Sequence, residues 1–132
     1  MNAPRPPGGE KPAVDIRLSV QRSPRDHPRL ALAQRVEALG FDALLVGDHR
    51  DSGASPWLAL ASAAAVTERI RLGTYVLQAG VREPLDMAND AATLDLLDPG
   101  RVVLGMGAGH TPVEWGAIGR RRPAPAKRIA RL

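Results

Sequence analysis

The chain of 132 residues is long enough for one domain with a buried core and too short for two. Its composition, with 44% hydrophobic residues, 24% charged residues and no cysteine, excludes a disulfide framework, a thiolate metal site and a thiol nucleophile. The net charge of +4 arises at the carboxyl end, because residues 1–114 carry 12 basic and 14 acidic residues whereas residues 115–132 carry six basic residues and no acidic one.

The amino-terminal residues 1–13 are rich in proline and glycine and contain no apolar signal core. They predict a disordered tail. No run of 18 apolar residues occurs, so the sequence predicts no membrane partner. Because no export signal is evident, we expect a cytoplasmic location.

Four short stretches rich in branched apolar residues, each bounded by turn formers, predict β-strands over residues 14–20, 42–46, 70–74 and 101–106. The segments between them have helical character. The first shows one apolar face made of Leu32, Val36 and Leu39.

Turn and cap residues set the expected helix ends. Gly40 follows the first helix as a left-handed cap. Pro56 starts the second helix, which we expect to end near Arg69, and Pro84 starts the third, which ends at the turn 98–100.

The resulting order β-α-β-α-β-α-β predicts a parallel sheet with right-handed crossovers, hence an α/β fold. A doubly wound sheet needs five or six strands, and a barrel of eight units needs roughly 250 residues. Residues 123–132 begin a further helix and stop. We therefore expect a truncated chain of about four βα units.

The segment "GMGAGHTPVEW" (105–115) follows the last predicted strand. Its alternating glycines permit close approach of a ring or a phosphate, and Thr111 to Glu114 form a predicted capping box with Pro112 at the first helical position. A dinucleotide-binding fingerprint is the rival interpretation. It needs an acidic residue about 20 positions further on, and no acidic residue follows Glu114.

The carboxyl end carries the run Arg120, Arg121 and Arg122. Such a run predicts a solvated face, with a phosphate or an acidic partner as the alternative. Because the four aromatic residues are scattered along the chain, no stacking platform for nucleic-acid bases is evident.

The stretch "GFDALLVGDH" (40–49) and the run from "TERIRLGT" through "ATLDLLDPGRVVLGMGAG" (67–109) resemble the amino-terminal half of the luciferase-like monooxygenase family. Its members are flavin- or deazaflavin-dependent oxidoreductases, and the resemblance covers residues 14–132. It implies a (β/α)8 TIM barrel, here a half barrel. It also implies a small-molecule substrate and a cofactor at the carboxyl ends of the strands. The Asp-His pair after the second strand is closer to the branch that uses the 8-hydroxy-5-deazaflavin coenzyme F-420 (F420), with FMN as the alternative.

The resemblance also implies site residues. His49 is the expected catalytic acid-base residue, because an imidazole titrates near neutral pH. The residues expected to line the cofactor ring are Asp48, Tyr75, Val76, Ala108, Gly109 and His110. In the family a non-prolyl cis peptide lies at the position of Tyr75-Val76. His110 stands where many deazaflavin-dependent relatives have a glutamate, which leaves a second acid-base role open.

Other interpretations remain open. His49 could instead cap a loop or bind a buried carbonyl, and Tyr75 could be an ordinary core residue at a strand end. A metal hydrolase is disfavoured, because His27, His49 and His110 show no paired ligand spacing. An inactive gene fragment, molten or paired edge to edge as a homodimer, is the non-catalytic alternative.

Overall fold

The computed structural model describes residues 17–22, 30–50, 53–130 and 132. The predicted disordered tail, residues 1–13, lies outside these ranges. Among the described residues, no helix is both long enough and apolar enough to cross a membrane.

A four-stranded parallel sheet forms the centre of the described fold. Its strands are β1 (Ser19–Arg22), β2 (Ala43–Val46), β3 (Arg71–Thr74) and β5 (Val102–Val103), in the spatial order β1-β2-β3-β5. A second, two-stranded parallel sheet pairs β4 (Leu77–Gln78) with β6 (Met106–Gly107) beyond the carboxyl ends of β3 and β5. The expected α/β class with a parallel sheet is confirmed.

Helices connect the strands, as the predicted alternation requires. They are α1 (Leu30–Ala38), α2 (Pro56–Ala64), α3 (Pro84–Leu97), α4 (Pro112–Ala117) and α5 (Pro125–Ile129). Four of the five begin at a proline, whose fixed φ suits the first helical position.

The hydrophobic core lies between the helices and one face of the sheet. Leu44 of β2 and Leu72 of β3 are in register and both are buried. They pack in one cluster with Leu60 of α2, which has no exposed surface, and with Met87 and Leu94 of α3. This core fixes the helices on the sheet and so fixes the loops at the carboxyl ends of the strands.

Two predicted strands differ from the structure. In the described part of the chain the first strand covers residues 19–22, with Ser19 opposite Ala43 of β2, whereas the prediction ended at residue 20 and its residues 14–16 lie outside the described ranges. The last is not continuous from 101 to 106. The Thr74 hydroxyl donates to the Gly105 carbonyl over 2.8 Å and accepts from the Gly105 N–H over 3.1 Å, so a side chain interrupts the ladder there.

The predicted helices also need correction. The second ends at Ala64, not near Arg69, because the backbone N–H groups of residues 68–70 donate to the Glu37 carboxylate instead of continuing the helix. In α1 the buried residues are Ala33 and Val36. Leu39 lies past the last turn and is exposed, whereas Gly40 has the expected positive φ of 79°.

Candidate functional site

Three loops meet at the carboxyl ends of the parallel strands. The loop after β2 carries Asp48 and His49, the segment after β3 carries Tyr75 and Val76, and the loop after β6 carries residues 108–110. Parallel strands direct all their carboxyl ends to one edge of the sheet, so these loops form a common rim. The predicted site residues therefore lie on neighbouring loops, although up to 62 residues separate them in the sequence.

The two histidines of the rim are close together. The ring centroids of His49 and His110 lie 6.3 Å apart, with the planes nearly perpendicular at 85°. His110 is exposed and its Nε2 lies 3.3 Å from the Thr111 hydroxyl. One ligand of ordinary size can therefore contact both rings.

The peptide bond between Tyr75 and Val76 is cis, as the family resemblance implies. Both side chains are exposed, Tyr75 by 56% and Val76 by 36%. The alternative of Tyr75 as a core residue is therefore wrong. The pair presents aromatic and apolar surface to the rim.

Asp48 is buried and fully engaged by protein groups. Its two carboxylate oxygens each accept a hydrogen bond of 2.7 Å from the Arg82 guanidinium, and Oδ2 also accepts from the Gln78 backbone N–H over 3.0 Å. The Gln78 side-chain amide donates to the Asp48 carbonyl over 2.6 Å. The pKa of Arg82 is raised above its usual value, mainly by the hydrogen bond to Asp48.

Glu114 contacts His49 and does not cap its helix. Its Oε1 lies 2.9 Å from His49 Nδ1, and its side chain has no exposed surface. The predicted capping box is wrong, because Thr111 makes no side-chain capping bond and the Glu114 side chain turns toward His49. The second carboxylate oxygen, Oε2, is buried without a hydrogen-bond partner.

Trp115 fixes the short helix α4 against the segment after β4. It is 1% exposed, and a Cβ placed on Gly80 would lie 2.5 Å from its ring. The absence of a side chain at Gly80 therefore makes room for the indole. Since Glu114 and Trp115 are adjacent, the packing of Trp115 also sets the position of the Glu114 carboxylate.

The alternating glycines after β5 accommodate protein rather than leaving open space. A Cβ on Gly105 would lie 2.2 Å from the Thr74 carbonyl oxygen, and one on Gly107 would lie 2.5 Å from Val76. Gly109 differs, because its φ of 70° requires glycine for conformational reasons. A Cβ there would lie 3.1 Å from Gln78 Oε1 and 3.6 Å from Trp115 Nε1, two buried polar atoms without partners.

The basic carboxyl-terminal segment folds back on the rim. Arg122 donates to the His110 carbonyl, Arg128 donates to the Gly109 carbonyl, and Arg120 pairs with Glu83 over 3.0 Å. Arg120, Arg121 and Arg122 are all exposed, which agrees with the prediction of a solvated face, although Arg120 and Arg122 also bind protein groups. Their hydrogen bonds connect this segment to the loop of His110 and to the residue before α3.

Two features of the site could not be recognised in the sequence. Glu114 lies 65 residues from His49, and its place in a Thr-Pro-Val-Glu pattern favoured a capping role. Arg82 lies 34 residues from Asp48 in an irregular segment. Within the described ranges no group of three or more His, Cys, Asp and Glu residues is placed to hold a metal ion.

The family model described as luciferase-like monooxygenase matches residues 12–132. A 4-hydroxyprotoasukamycin monooxygenase of Streptomyces nodosus subsp. asukaensis is 38% identical, and the match covers 92% of this chain and 33% of that protein. An F420-dependent glucose-6-phosphate dehydrogenase of Amycolatopsis mediterranei is 40% identical over 121 residues, covering 85% of this chain and 35% of that protein.

Among solved structures, an F420-dependent secondary alcohol dehydrogenase in complex with an F420-acetone adduct superposes with a TM-score of 0.79 at 27% identity. The alignment covers 89% of this chain and 38% of that chain. The barrel-family fold class implied by the resemblance is thereby confirmed. The chain spans about a third of the length of the relatives it matches.

Proposed function

Because the chain belongs to the luciferase-like monooxygenase family, we propose that its rim forms one side of an F420 site in an oxidoreductase that acts on a small-molecule substrate. His49 is the proposed catalytic residue. The observation that carries the proposal is the position of the His49 ring on the rim, where its centroid lies 6.3 Å from that of His110. Its Nδ1 lies within hydrogen-bond distance of Glu114, whereas its Nε2 has no partner among the described residues.

The residues of the rim fit the ring end of such a cofactor. The exposed surface of Tyr75 and Val76 offers an apolar support for a planar ring. Near Gly109, Gln78 Oε1 is a buried acceptor and Trp115 Nε1 a buried donor, both without partners. Because both atoms are covered by protein, they do not contact a ligand on the rim, and the support for the fit is the exposed surface of Tyr75 and Val76.

We assign the cofactor ring to a surface formed by Tyr75, Val76, Ala108, Gly109 and His110. Asp48 stays in our proposal as a residue that supports this surface, because its carboxylate is already occupied by Arg82 and Gln78. Its predicted direct contact with the cofactor remains a prediction. Arg82, Arg122 and Arg128 are likewise engaged within the protein, so we expect the cofactor phosphate to bind outside this rim.

His49 would perform the proton transfer. When bound, F420 would accept a hydride from the carbinol carbon of a substrate alcohol. Nε2 of His49 would take the hydroxyl proton as the carbonyl forms, and it would return a proton in the reverse direction. The side chain is 40% exposed, so Nε2 can both meet a substrate and exchange its proton with solvent.

FMN remains the alternative cofactor. The cytoplasmic location and the absence of a nucleic-acid partner stay predictions.

A chimera tests the proposal. Residues 12–132 would replace the matching third of the Amycolatopsis mediterranei dehydrogenase, which supplies the remaining strands. We expect the chimera to bind F420, measured by cofactor fluorescence, and to reduce it in the presence of glucose 6-phosphate. Binding of FMN in preference to F420 would refute the choice of cofactor. A folded chimera that binds neither would refute the assignment of the rim.

A further inference from the structure

We propose that Glu114 is a positioning residue for His49: its carboxylate holds Nδ1 in the protonated form and leaves Nε2 as the only ring atom that exchanges protons with a substrate. The part of this inference that concerns a substrate rests on the proposed function. The tautomer itself does not.

The geometry around Glu114 leaves the His49 ring as its hydrogen-bond partner. The Glu114 side chain has no exposed surface, and Oε1 lies 2.9 Å from His49 Nδ1. Oε2 is buried without a partner. Since neither solvent nor a second donor competes for the carboxylate, the ring N–H is the one group that satisfies it among the described residues.

The carboxylate cannot readily turn away from the ring. The next residue, Trp115, is 1% exposed and packs over Gly80, where even a methyl group would overlap the indole. Pro112 fixes φ at the first position of α4. The backbone that carries Glu114 is therefore restrained by the fixed φ of Pro112 before it and by the packing of Trp115 after it.

The hydrogen bond determines which nitrogen carries hydrogen. A carboxylate only accepts hydrogen bonds, so with Glu114 in its carboxylate form Nδ1 is the donor, whether the imidazole is neutral or cationic. In the neutral ring Nε2 then has the free lone pair. This is the atom that lacks a protein partner on the rim.

The test uses the full 132-residue chain, without any cofactor, labelled with ¹⁵N at histidine. Long-range ¹H–¹⁵N NMR spectra at a pH where the ring is neutral distinguish protonated from unprotonated ring nitrogens. The variant His49→Gln assigns the signal. Three further variants are compared: Glu114→Gln, which keeps an oxygen acceptor, Glu114→Leu, which removes it, and Glu68→Gln, which alters an exposed glutamate elsewhere.

We expect His49 to be almost entirely in the Nδ1–H form in the unsubstituted chain and in Glu68→Gln, and mostly so in Glu114→Gln. In Glu114→Leu the Nδ1–H form should become the minor one, as it is in free histidine. A free-histidine pattern in the unsubstituted chain would overturn the proposal, as would an unchanged Nδ1–H form in Glu114→Leu. If Glu114→Leu does not fold, the tautomers found in the unsubstituted chain and in Glu114→Gln decide whether the proposal holds.

This result is separable from the proposed function. A fixed Nδ1–H tautomer together with a chimera that binds no F420 would leave the positioning role intact and refute only the cofactor site. An F420-binding chimera with the opposite tautomer would refute only the role of Glu114.

Discussion

Asp48 and His49 are adjacent in the sequence and have different roles at the residue scale. Asp48 is 3% exposed, and its carboxylate accepts three hydrogen bonds from Arg82 and Gln78. The His49 side chain is 40% exposed and keeps one ring nitrogen free of protein partners in the described part of the chain. Of these two residues, only His49 presents a ring nitrogen to a ligand, as the proposed proton transfer requires, whereas the hydrogen bonds of Asp48 hold the loop that carries His49.

The variant Asp48→Asn tests this supporting role. It replaces the carboxylate that pairs with the partly buried Arg82 guanidinium by a neutral amide, and because arginine stays charged we expect a loss of about 3 kcal/mol in the free energy of unfolding. Urea unfolding followed by circular dichroism measures it. The control is Asp86→Asn, an exposed aspartate on α3, which should change the stability by less than about 0.5 kcal/mol. Equal effects of the two variants would contradict the role given to Asp48.

At the scale of elements, helix α1 is connected to the segment before β3 through Glu37. Its carboxylate accepts hydrogen bonds from the backbone N–H groups of Glu68, Arg69 and Ile70. The pKa of Glu37 is lowered below its usual value, mainly by the bond from Arg69. The ionised form is thus favoured by folding.

A lowered pKa in the folded state contributes stability above the usual glutamate pKa of about 4.3. That stability is lost as the pH falls through the folded-state value. We expect Glu37→Gln to lower the stability at pH 7 by about 1 kcal/mol, since the group is partly exposed, and to have a smaller effect at pH 3. Unfolding by urea at both pH values measures the difference. An equal loss of stability in Glu37→Gln at pH 7 and at pH 3 would contradict this explanation.

Two glycine substitutions test how α4 is fixed. Gly80→Ala should destabilise the chain by about 1 to 3 kcal/mol, because the new methyl group overlaps Trp115. Gly116→Ala is the matched control within α4, where a Cβ meets nothing within 4 Å, and it should stabilise by about 0.5 to 1 kcal/mol. Thermal unfolding gives both values. A neutral effect of Gly80→Ala would show that the indole can shift at little cost.

The sequence predicted the order of elements because hydrophobic periodicity and proline or glycine ends are local signals. It failed where a long-range side chain changes the backbone pairing. Thr74 interrupts the strand predicted at 101–106, and Glu37 ends α2 early. At the site, the cis bond of Tyr75-Val76 followed from the family resemblance, whereas the contact between Glu114 and His49 depends on how α4 packs, which no local pattern encodes.

At the scale of the whole molecule, the described sheet is open. Its edges are β1 and β5, and the chain spans about a third of the length of its relatives. Large apolar side chains are exposed on α3, where Leu85 is 80% and Leu96 is 82% exposed. Unpaired strand edges and exposed apolar side chains both favour association.

We therefore expect the 132-residue chain, produced alone, to self-associate with a sedimentation coefficient that increases with concentration. The chimera described above adds the remaining strands and is the control, which should sediment as one species over the same range. A chain that remains a monomer with a cooperative thermal transition would contradict this expectation.

The proton-transfer role of His49 at an F420 site is the central claim, and the variant His49→Asn in the chimera tests it most directly. The asparagine keeps a polar side chain of similar size but cannot exchange a proton near neutral pH. We expect the rate of F420 reduction to fall by about 10² to 10⁴-fold while F420 affinity changes by less than about threefold, and His110→Asn to reduce the rate by less than about tenfold. A His49→Asn chimera that retains F420 binding and reduces F420 within about threefold of the unsubstituted rate would contradict the account.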